Sequence, residues 1–261
     1  MPSERPSRAG RAGMGPLLIS VIVVAAALIV AMVGGALSGV VNPAATKTVA
    51  VQSISPAAAG TALAVLGTIA VKGRAPKTGY DRAQFGPAWA DVDRNGCDTR
   101  NDILRRDLTG YVLKRGTHGC VVLSGTLLDP YTATTIGFVR GQNTSTMVQI
   151  DHVVALSDAW QKGAQQLSAE TRRALANDSL NLLAVDGLTN QRKGDGDAAT
   201  WLPPNKAYRC PYVARQLAVK AKYRLWVTSA ERDALGRILA TCSLQPLPAT
   251  KAFVLGGGPE L

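Results

Sequence analysis

An acid and a base stand side by side at one point of this chain. Asp151 is followed by His152 at the end of an apolar run that predicts a β-strand, and the sequence has one other histidine, His118, in a glycine-rich turn. An imidazole can act as a base near neutral pH, and a neighbouring carboxylate can hold a hard metal ion. The pair alone is weak evidence for catalysis, because a histidine at a strand end more often has only a structural role.

Two asparagines further along the chain strengthen the catalytic interpretation. Asn181 lies in a short apolar segment, 180–185, that predicts a second strand. Asn190 follows Thr189, which is a candidate N-cap for a helix that begins here. Strand, strand and helix, each with one of these polar groups, is the layout of a ββα-metal nuclease site.

The local sequences at these three places resemble the HNH endonuclease superfamily. They are Asp-His-Val-Val at 151–154, Leu-Asn-Leu-Leu at 180–183 and Asn-Gln-Arg-Lys-Gly-Asp at 190–195. They are similar to a group of exported actinobacterial HNH proteins with a domain of formerly unknown function, and to the HNH domain of CRISPR effector nucleases. The resemblance covers residues 147–197, and segments 80–82 and 95–100 look similar to the same exported group.

The resemblance implies a role for each of the four residues. Asp151 and Asn190 would hold one divalent metal ion through oxygen atoms, and His152 would take a proton from the attacking water. Asn181 would tie the loop between the strands and orient the histidine. Because Asn190 stands where the family name has its last histidine, Mg²⁺ or Mn²⁺ is favoured over Zn²⁺, and no organic cofactor is expected.

Three basic residues are candidates for holding phosphate oxygens: Arg100, Arg192 and Lys193. Arg100 stands in the first turn of a predicted helix, where the helix dipole mildly disfavours a cation, so a ligand-binding role is one explanation for it. Asp195 is a candidate acid behind the metal ligands. For all four, a solvated surface charge is the alternative.

A second candidate metal site precedes that helix. Oxygen ligands, a glycine and a final acid occupy the positions of a calcium loop: Asp91, Asp93, Asn95, Gly96 and Asp102. The segment also has a competing structural use, which is better supported. Thr99 and Asp102 predict a capping box for a helix that runs to about Leu108.

The sequence patterns around these residues predict an α+β fold. Period-two patterns predict strands at 111–114, 120–127, 134–140 and 147–154, and their short connections favour an antiparallel meander. Residues 157–177 predict two helical pieces, the second capped by Ser168. An apolar stripe after Pro211 and a second helix capped by Thr228 predict a C-terminal helical hairpin.

The four cysteines show no CxxC spacing, so two disulfides are favoured over a zinc site. Cys210 stands before the first helix of the hairpin and Cys242 after the second, and an antiparallel hairpin brings these ends together. Cys97 and Cys120 would then pair and join helix to sheet; this second pairing has less support.

The N-terminus predicts export. Three arginines precede an uncharged, aliphatic stretch at 17–33 and then small residues, which is typical of a secretory signal or, if uncleaved, of a membrane anchor. We therefore predict a signal peptide or anchor at 1–38, a linker at 39–60, an HNH-type nuclease domain at 61–244 and a flexible tail at 245–261. The mature protein would be secreted or lie on the outer face of the cell membrane.

The formal net charge of +11 favours a polyanionic partner. We predict a metal-dependent endonuclease that hydrolyses phosphodiester bonds, in DNA rather than RNA, with little sequence specificity because no base-reading module is visible. One alternative is a non-catalytic extracellular protein that binds calcium through the 91–102 loop and a polyanion on its basic surface. Another is a nucleic-acid-binding protein with the same fold but no activity.

Overall fold

Two separate antiparallel sheets organise the fold, which the computed structural model describes for residues 60–142 and 144–248. The first sheet has the order β1-β2-β3, with β1 Leu108–Leu113, β2 Val122–Leu128 and β3 Thr135–Val139. The second is a pair, β4 Val148–His152 with β5 Leu182–Asp186. The prediction of one four-stranded meander is therefore wrong: β4 pairs with β5 and not with β3.

The burial of the strands explains this arrangement. β3 is an edge strand in which only Phe138 is fully buried, whereas β4 and β5 are buried on both faces. Val148 and Ile150 pack on the side of the first sheet, while Leu183 and Val185 pack on the opposite side against the C-terminal helices. A strand pair with two apolar faces must be covered on both sides, so it cannot extend a sheet that has one face in water.

Seven α-helices surround these sheets within the described residues: α1 Ala62–Thr68, α2 Thr99–Asp107, α3 Leu156–Gln161, α4 Ala169–Ala176, α5 Gly187–Lys193, α6 Arg209–Lys222 and α7 Ser229–Leu239. The two helical pieces after β4 and the C-terminal hairpin are as predicted. Ser168 caps α4 and Thr228 caps α7, each by accepting a hydrogen bond from a backbone nitrogen three residues later.

Two predicted caps are wrong by one and three residues. Asp98, not Thr99, caps α2, because its side chain accepts a hydrogen bond from the nitrogen of Asn101 at 2.8 Å. Thr99 instead donates its hydroxyl to the carbonyl of Ala90. Asp186, not Thr189, caps α5, which therefore begins directly where β5 ends. Both helices begin at an aspartate, whose carboxylate is favoured at the positive end of a helix dipole.

Both disulfides pair as the sequence predicts. Cys97 is bonded to Cys120 and joins the loop before α2 to the start of β2. Cys210 is bonded to Cys242 and joins the start of α6 to the end of α7. In the described part of the chain, no helix is long and apolar enough to cross a membrane. The predicted signal or anchor at 1–38, nearly all of the linker and most of the tail lie outside the described residues.

A buried cluster of charges holds three helices together and was not predicted. Lys162, at the end of α3, lies within 2.6–2.8 Å of the carboxylates of Asp158, Asp197 and Glu231. Lys220 on α6 also contacts Glu231 at 3.0 Å. Because each buried ammonium faces carboxylates, the cluster avoids the cost of an unpaired buried charge.

The buried carboxyl group of Asp102 in α2 should make the stability of the protein depend on pH. Asp102 is buried, its Oδ1 accepts no hydrogen bond from the described residues, and burial raises its pKa from 3.8 to about 6. An acid whose pKa is raised on folding destabilises the folded state once the unfolded chain ionises, so wild-type stability falls as the pH rises from about 4 through 6. We expect Asp102→Asn to remove that fall, a difference of at most about 3 kcal/mol at neutral pH, in denaturant unfolding at several pH values.

The matched control is Asp233→Asn, at an exposed position on α7, which should keep the wild-type pH dependence. If the two variants show the same pH dependence, the raised pKa of Asp102 is not the cause.

Candidate functional site

A polar cleft of about 460 Å³ opens at the C-terminal end of β4. It brings together five residues that the sequence proposes for the site: Arg100, Asp151, His152, Asn190 and Asp195. These come from α2, from β4, from α5 and from the loop after α5. The arrangement follows from the fold, since β4 and β5 pair and α5 begins where β5 ends.

Asn181 lies beneath the cleft and closes the turn that follows β4. Its side chain is fully buried; Oδ1 accepts a hydrogen bond from the nitrogen of Val154 at 2.8 Å, and Nδ2 donates to the carbonyls of Val154 and Leu175. Its backbone carbonyl accepts a further hydrogen bond from Val153 at 2.7 Å. Asn181 thus fixes the backbone directly after His152, where the strand ends.

His152 is held through its ring by a carbonyl group and by an aromatic face. Its Nε2 lies 2.8 Å from the carbonyl oxygen of Ala176. Because that oxygen can only accept, Nε2 carries the hydrogen, and the lone pair of the neutral ring is on Nδ1. Burial, aided by the positive charges of Arg82 and Lys193, lowers the pKa of His152 to about 3, so the imidazole is neutral at physiological pH.

Trp89 covers the face of this ring. The two ring centroids are 6.3 Å apart and the ring planes differ by 14°. The backbone of Trp89 has a φ of 59°, a conformation that is unusual for a bulky side chain. Trp89 was not predicted, because it lies more than sixty residues before His152 and carries no motif.

Asp151 is buried and has two close polar partners. The hydroxyl of Tyr131 donates to Oδ2 at 2.5 Å, and Nζ of Lys193 donates to Oδ1 at 2.9 Å. Burial raises the pKa of Asp151, and Lys193 and Tyr131 oppose that rise. Burial and the neighbouring carboxylate raise the pKa of Tyr131 well above 10, so the phenol remains a donor.

Asn190 lines the cleft, and its amide is held on one side. Its Nδ2 donates to Oε1 of Gln149 at 2.9 Å, which fixes the orientation of the amide. Among the described residues, nothing donates to its Oδ1. Asp151 and Asn190 both line the cleft, together with Gln149 and Asp195, so carboxylates and amides from neighbouring elements meet there.

The three predicted phosphate ligands have different surroundings. Lys193 is fully buried, and its ammonium donates to Asp151 and to the carbonyl of His152. Phosphate binding by Lys193 stays a prediction. Arg192 is exposed and does not line the cleft. Arg100 is half-buried in the cleft wall and forms no salt bridge with the described residues.

Arg82 is a second unpaired arginine in the cleft. It is exposed, lines the cleft and forms no salt bridge within the described part of the chain. The resemblance of segment 80–82 to exported HNH proteins was the available signal for it. Asp195 is exposed, and its carboxylate accepts hydrogen bonds from Ser157 at 2.8 Å and Lys77 at 3.3 Å.

The side-chain oxygens of Asp91, Asp93 and Asn95 accept hydrogen bonds from the calcium-like loop itself, whereas Oδ1 of Asp102 accepts none from the described residues. Asp91 accepts hydrogen bonds from the nitrogens of Asn95 and Gly96, Asp93 accepts from Asn95, and Asn95 accepts from Cys97. No group of three or more His, Cys, Asp or Glu side chains in residues 60–142 and 144–248 could hold a metal ion. Calcium binding here stays a prediction.

Comparison with known proteins identifies the family. Residues 98–238 match the family model described as the C-terminal domain of GmrSD restriction endonucleases. The chain belongs to this family. A protein of Arthroderma benhamiae (strain ATCC MYA-4681 / CBS 112371), named "Uncharacterized secreted protein", is 38% identical over 186 residues, which is 70% of this chain and 86% of that protein. No solved structure matches.

The GmrSD C-terminal domain covers every element of the cleft except the segment that carries Arg82 and Trp89. Membership places the chain in a nuclease-type family.

The side chain of Asn181 provides a test of how the turn is held. We expect Asn181→Ala to lower the free energy of unfolding by about 2–3 kcal/mol, because it leaves buried backbone groups at Val154 and Leu175 without partners. Asn190→Ala, at the half-exposed asparagine of the same motif, should cost less than about 1 kcal/mol. Denaturant unfolding measures both, and equal losses would mean that Asn181 does not stabilise the turn.

Proposed function

We propose that this protein is a secreted, metal-dependent endonuclease of the HNH type that hydrolyses phosphodiester bonds in nucleic acid. The observation that carries the proposal is the cleft itself, in which a neutral histidine, a carboxylate, an amide oxygen and two unpaired arginines face one space. Metal-dependent hydrolysis of a phosphodiester uses these groups: a base that takes a proton from water, oxygen ligands that hold a divalent cation, and positive charge that binds the phosphate. Family membership supports a nuclease of this kind.

The donor set fits one Mg²⁺ or Mn²⁺ ion. A carboxylate has about four lone-pair positions, so Asp151 keeps free positions beside the hydrogen bonds from Tyr131 and Lys193. The oxygen of Asn190 would be the second protein ligand, and Mg²⁺ retains several waters, so two protein oxygens are enough. A bound divalent ion would supply positive charge to the phosphate and to the leaving oxygen.

His152 would activate the attacking water. In this step the water oxygen bonds to phosphorus as its proton moves to Nδ1, and the bond from phosphorus to the leaving oxygen breaks. The leaving oxygen then takes a proton from solvent. A pKa of about 3 makes the ring a weak base in the free protein, but an anionic phosphate beside it favours the imidazolium and so raises its basicity.

Arg100 and Arg82 would bind the phosphate oxygens. Burial and the neighbouring Arg140 lower the pKa of Arg100 more than the negative charge of Asp98 raises it, so the guanidinium is only partly compensated in the free protein. A guanidinium without a carboxylate partner, half-buried in a cleft wall, is suited to bidentate binding of a phosphate. The positive net charge of the chain would attract nucleic acid to this cleft.

Several observations support a location outside the cell. The protein has two disulfides, which persist in oxidising compartments, and its Arthroderma relative carries the word secreted in its name. We propose DNA as the principal substrate, with little sequence specificity, because contacts to phosphate position a nucleic acid without reading its sequence.

The two histidines of the chain provide a matched pair of variants. We expect His152→Ala to slow the nicking of plasmid DNA in Mg²⁺ by at least about 100-fold, because a positioned base contributes on that order. His118→Ala, at an exposed turn, should retain wild-type activity. Gel analysis of plasmid nicking measures the rate, and circular dichroism confirms that both variants are folded. Wild-type activity in His152→Ala would exclude this mechanism.

A second pair of variants compares an arginine in the cleft with an arginine outside it. We expect Arg100→Gln to weaken DNA binding. It should also reduce the magnitude of the slope of log affinity against log salt by about 1, the contribution of one phosphate contact. Arg192→Gln should have a smaller effect on both, because Arg192 does not line the cleft. Fluorescence anisotropy with a labelled oligonucleotide at several salt concentrations measures both. Equal effects would place the phosphate path outside the cleft.

A further inference from the structure

We infer that an apolar cavity beside His152 binds one unstacked nucleobase of the substrate, directly next to the phosphate that is cut. The inference rests on the proposed function, because the occupant is part of the proposed substrate. It adds a substrate class: single-stranded or locally opened nucleic acid.

The cavity adjoins the polar cleft and shares walls with it. It has a volume of about 250 Å³, close to the lower end of pockets for small organic ligands. Arg82, Trp89, His152 and Leu156 line both the cavity and the cleft. A molecule that places a phosphate in the cleft can therefore place a neighbouring group in the cavity without crossing solvent.

The chemistry of the cavity suits a nucleobase. Phe85, Pro87 and Leu156 contribute apolar surface, and Trp89 contributes an aromatic ring, the surface on which bases stack in proteins that bind single strands. None of the described residues that line it is acidic, so an adjoining phosphate meets no repulsion from its wall. Arg82 at the shared wall has no carboxylate partner there and can hold that phosphate.

A base cannot enter this cavity while it is stacked and paired in a duplex. Single strands and locally opened duplexes should therefore be cut faster than fully paired DNA of the same sequence. The cavity also sets a polarity, because it lies on one side of the cleft. The base that it holds must flank the cut phosphate on one fixed side.

An oligonucleotide with one missing base tests the inference. A labelled single strand carries one abasic tetrahydrofuran unit, and the rate of cleavage at each phosphate is measured on a sequencing gel. We expect cleavage at one phosphate beside the abasic unit to fall roughly 5- to 100-fold, the range of one lost base–aromatic stack. The other phosphates of the same strand are the internal control.

Two variants separate base binding from a structural role of Trp89. Ala88 lines the cavity but is exposed and has no part in the proposed reaction. Ala88→Leu should fill the cavity, so that cleavage beside the abasic unit is no slower than at the other phosphates. Trp89→Ala should also remove this difference in rate. If Trp89→Ala slows cleavage equally at every phosphate and cleavage beside the abasic unit is still slower than elsewhere, Trp89 only positions His152 and the inference is wrong.

The remaining outcomes also decide the question. Even cleavage along the strand by the wild-type protein, or cleavage of duplex DNA without cleavage of single strands, overturns the inference and leaves the proposed nuclease intact. No cleavage of any nucleic acid, with Mg²⁺ or Mn²⁺, overturns the proposed function itself.

Discussion

The cleft depends on the hydrogen bonds of one buried amide. Asn181 binds the nitrogen and the carbonyl of Val154 and the carbonyl of Leu175, and so connects the end of β4, the start of β5 and the end of α4. The next carbonyl on α4, that of Ala176, holds the ring of His152. The position of the histidine and the direction of the chain after it are therefore fixed by neighbouring contacts of the same three elements.

The polar residues of the site lie at the end of a strand pair that is otherwise apolar. β4 and β5 are covered on both faces by apolar core clusters. The polar side chains of the site therefore lie where β4 ends. Asp151 is buried there, and its charge is balanced by Lys193 and by the hydroxyl of Tyr131. The same rule of paired buried charges holds between α3, α6 and α7, where Lys162 and Lys220 face carboxylates.

The sequence predicts the local features of this protein better than its long-range contacts. The residue types and spacing around Asp151, Asn181 and Asn190 predict elements that do meet at one cleft, and the C-terminal hairpin and both disulfides are as predicted. The four-stranded meander is wrong because strand patterns do not identify partners. The burial of Lys193 beside Asp151 was not predicted, because a lysine in a polar, basic stretch suggests solvent exposure. Tyr131 and Trp89 reach the site from distant segments without a motif, and for Arg82 the one signal was the resemblance of segment 80–82.

The central claim is that this cleft hydrolyses a phosphodiester by direct attack of water on phosphorus, and an isotope experiment tests this most directly. A nucleic acid is cleaved by the wild-type protein in Mg²⁺, in water enriched in the heavy isotope of oxygen, and the products are weighed by mass spectrometry. The account expects one heavy oxygen in each newly formed terminal phosphate. Cleavage products without the heavy oxygen, or no cleavage with any divalent metal, would contradict it.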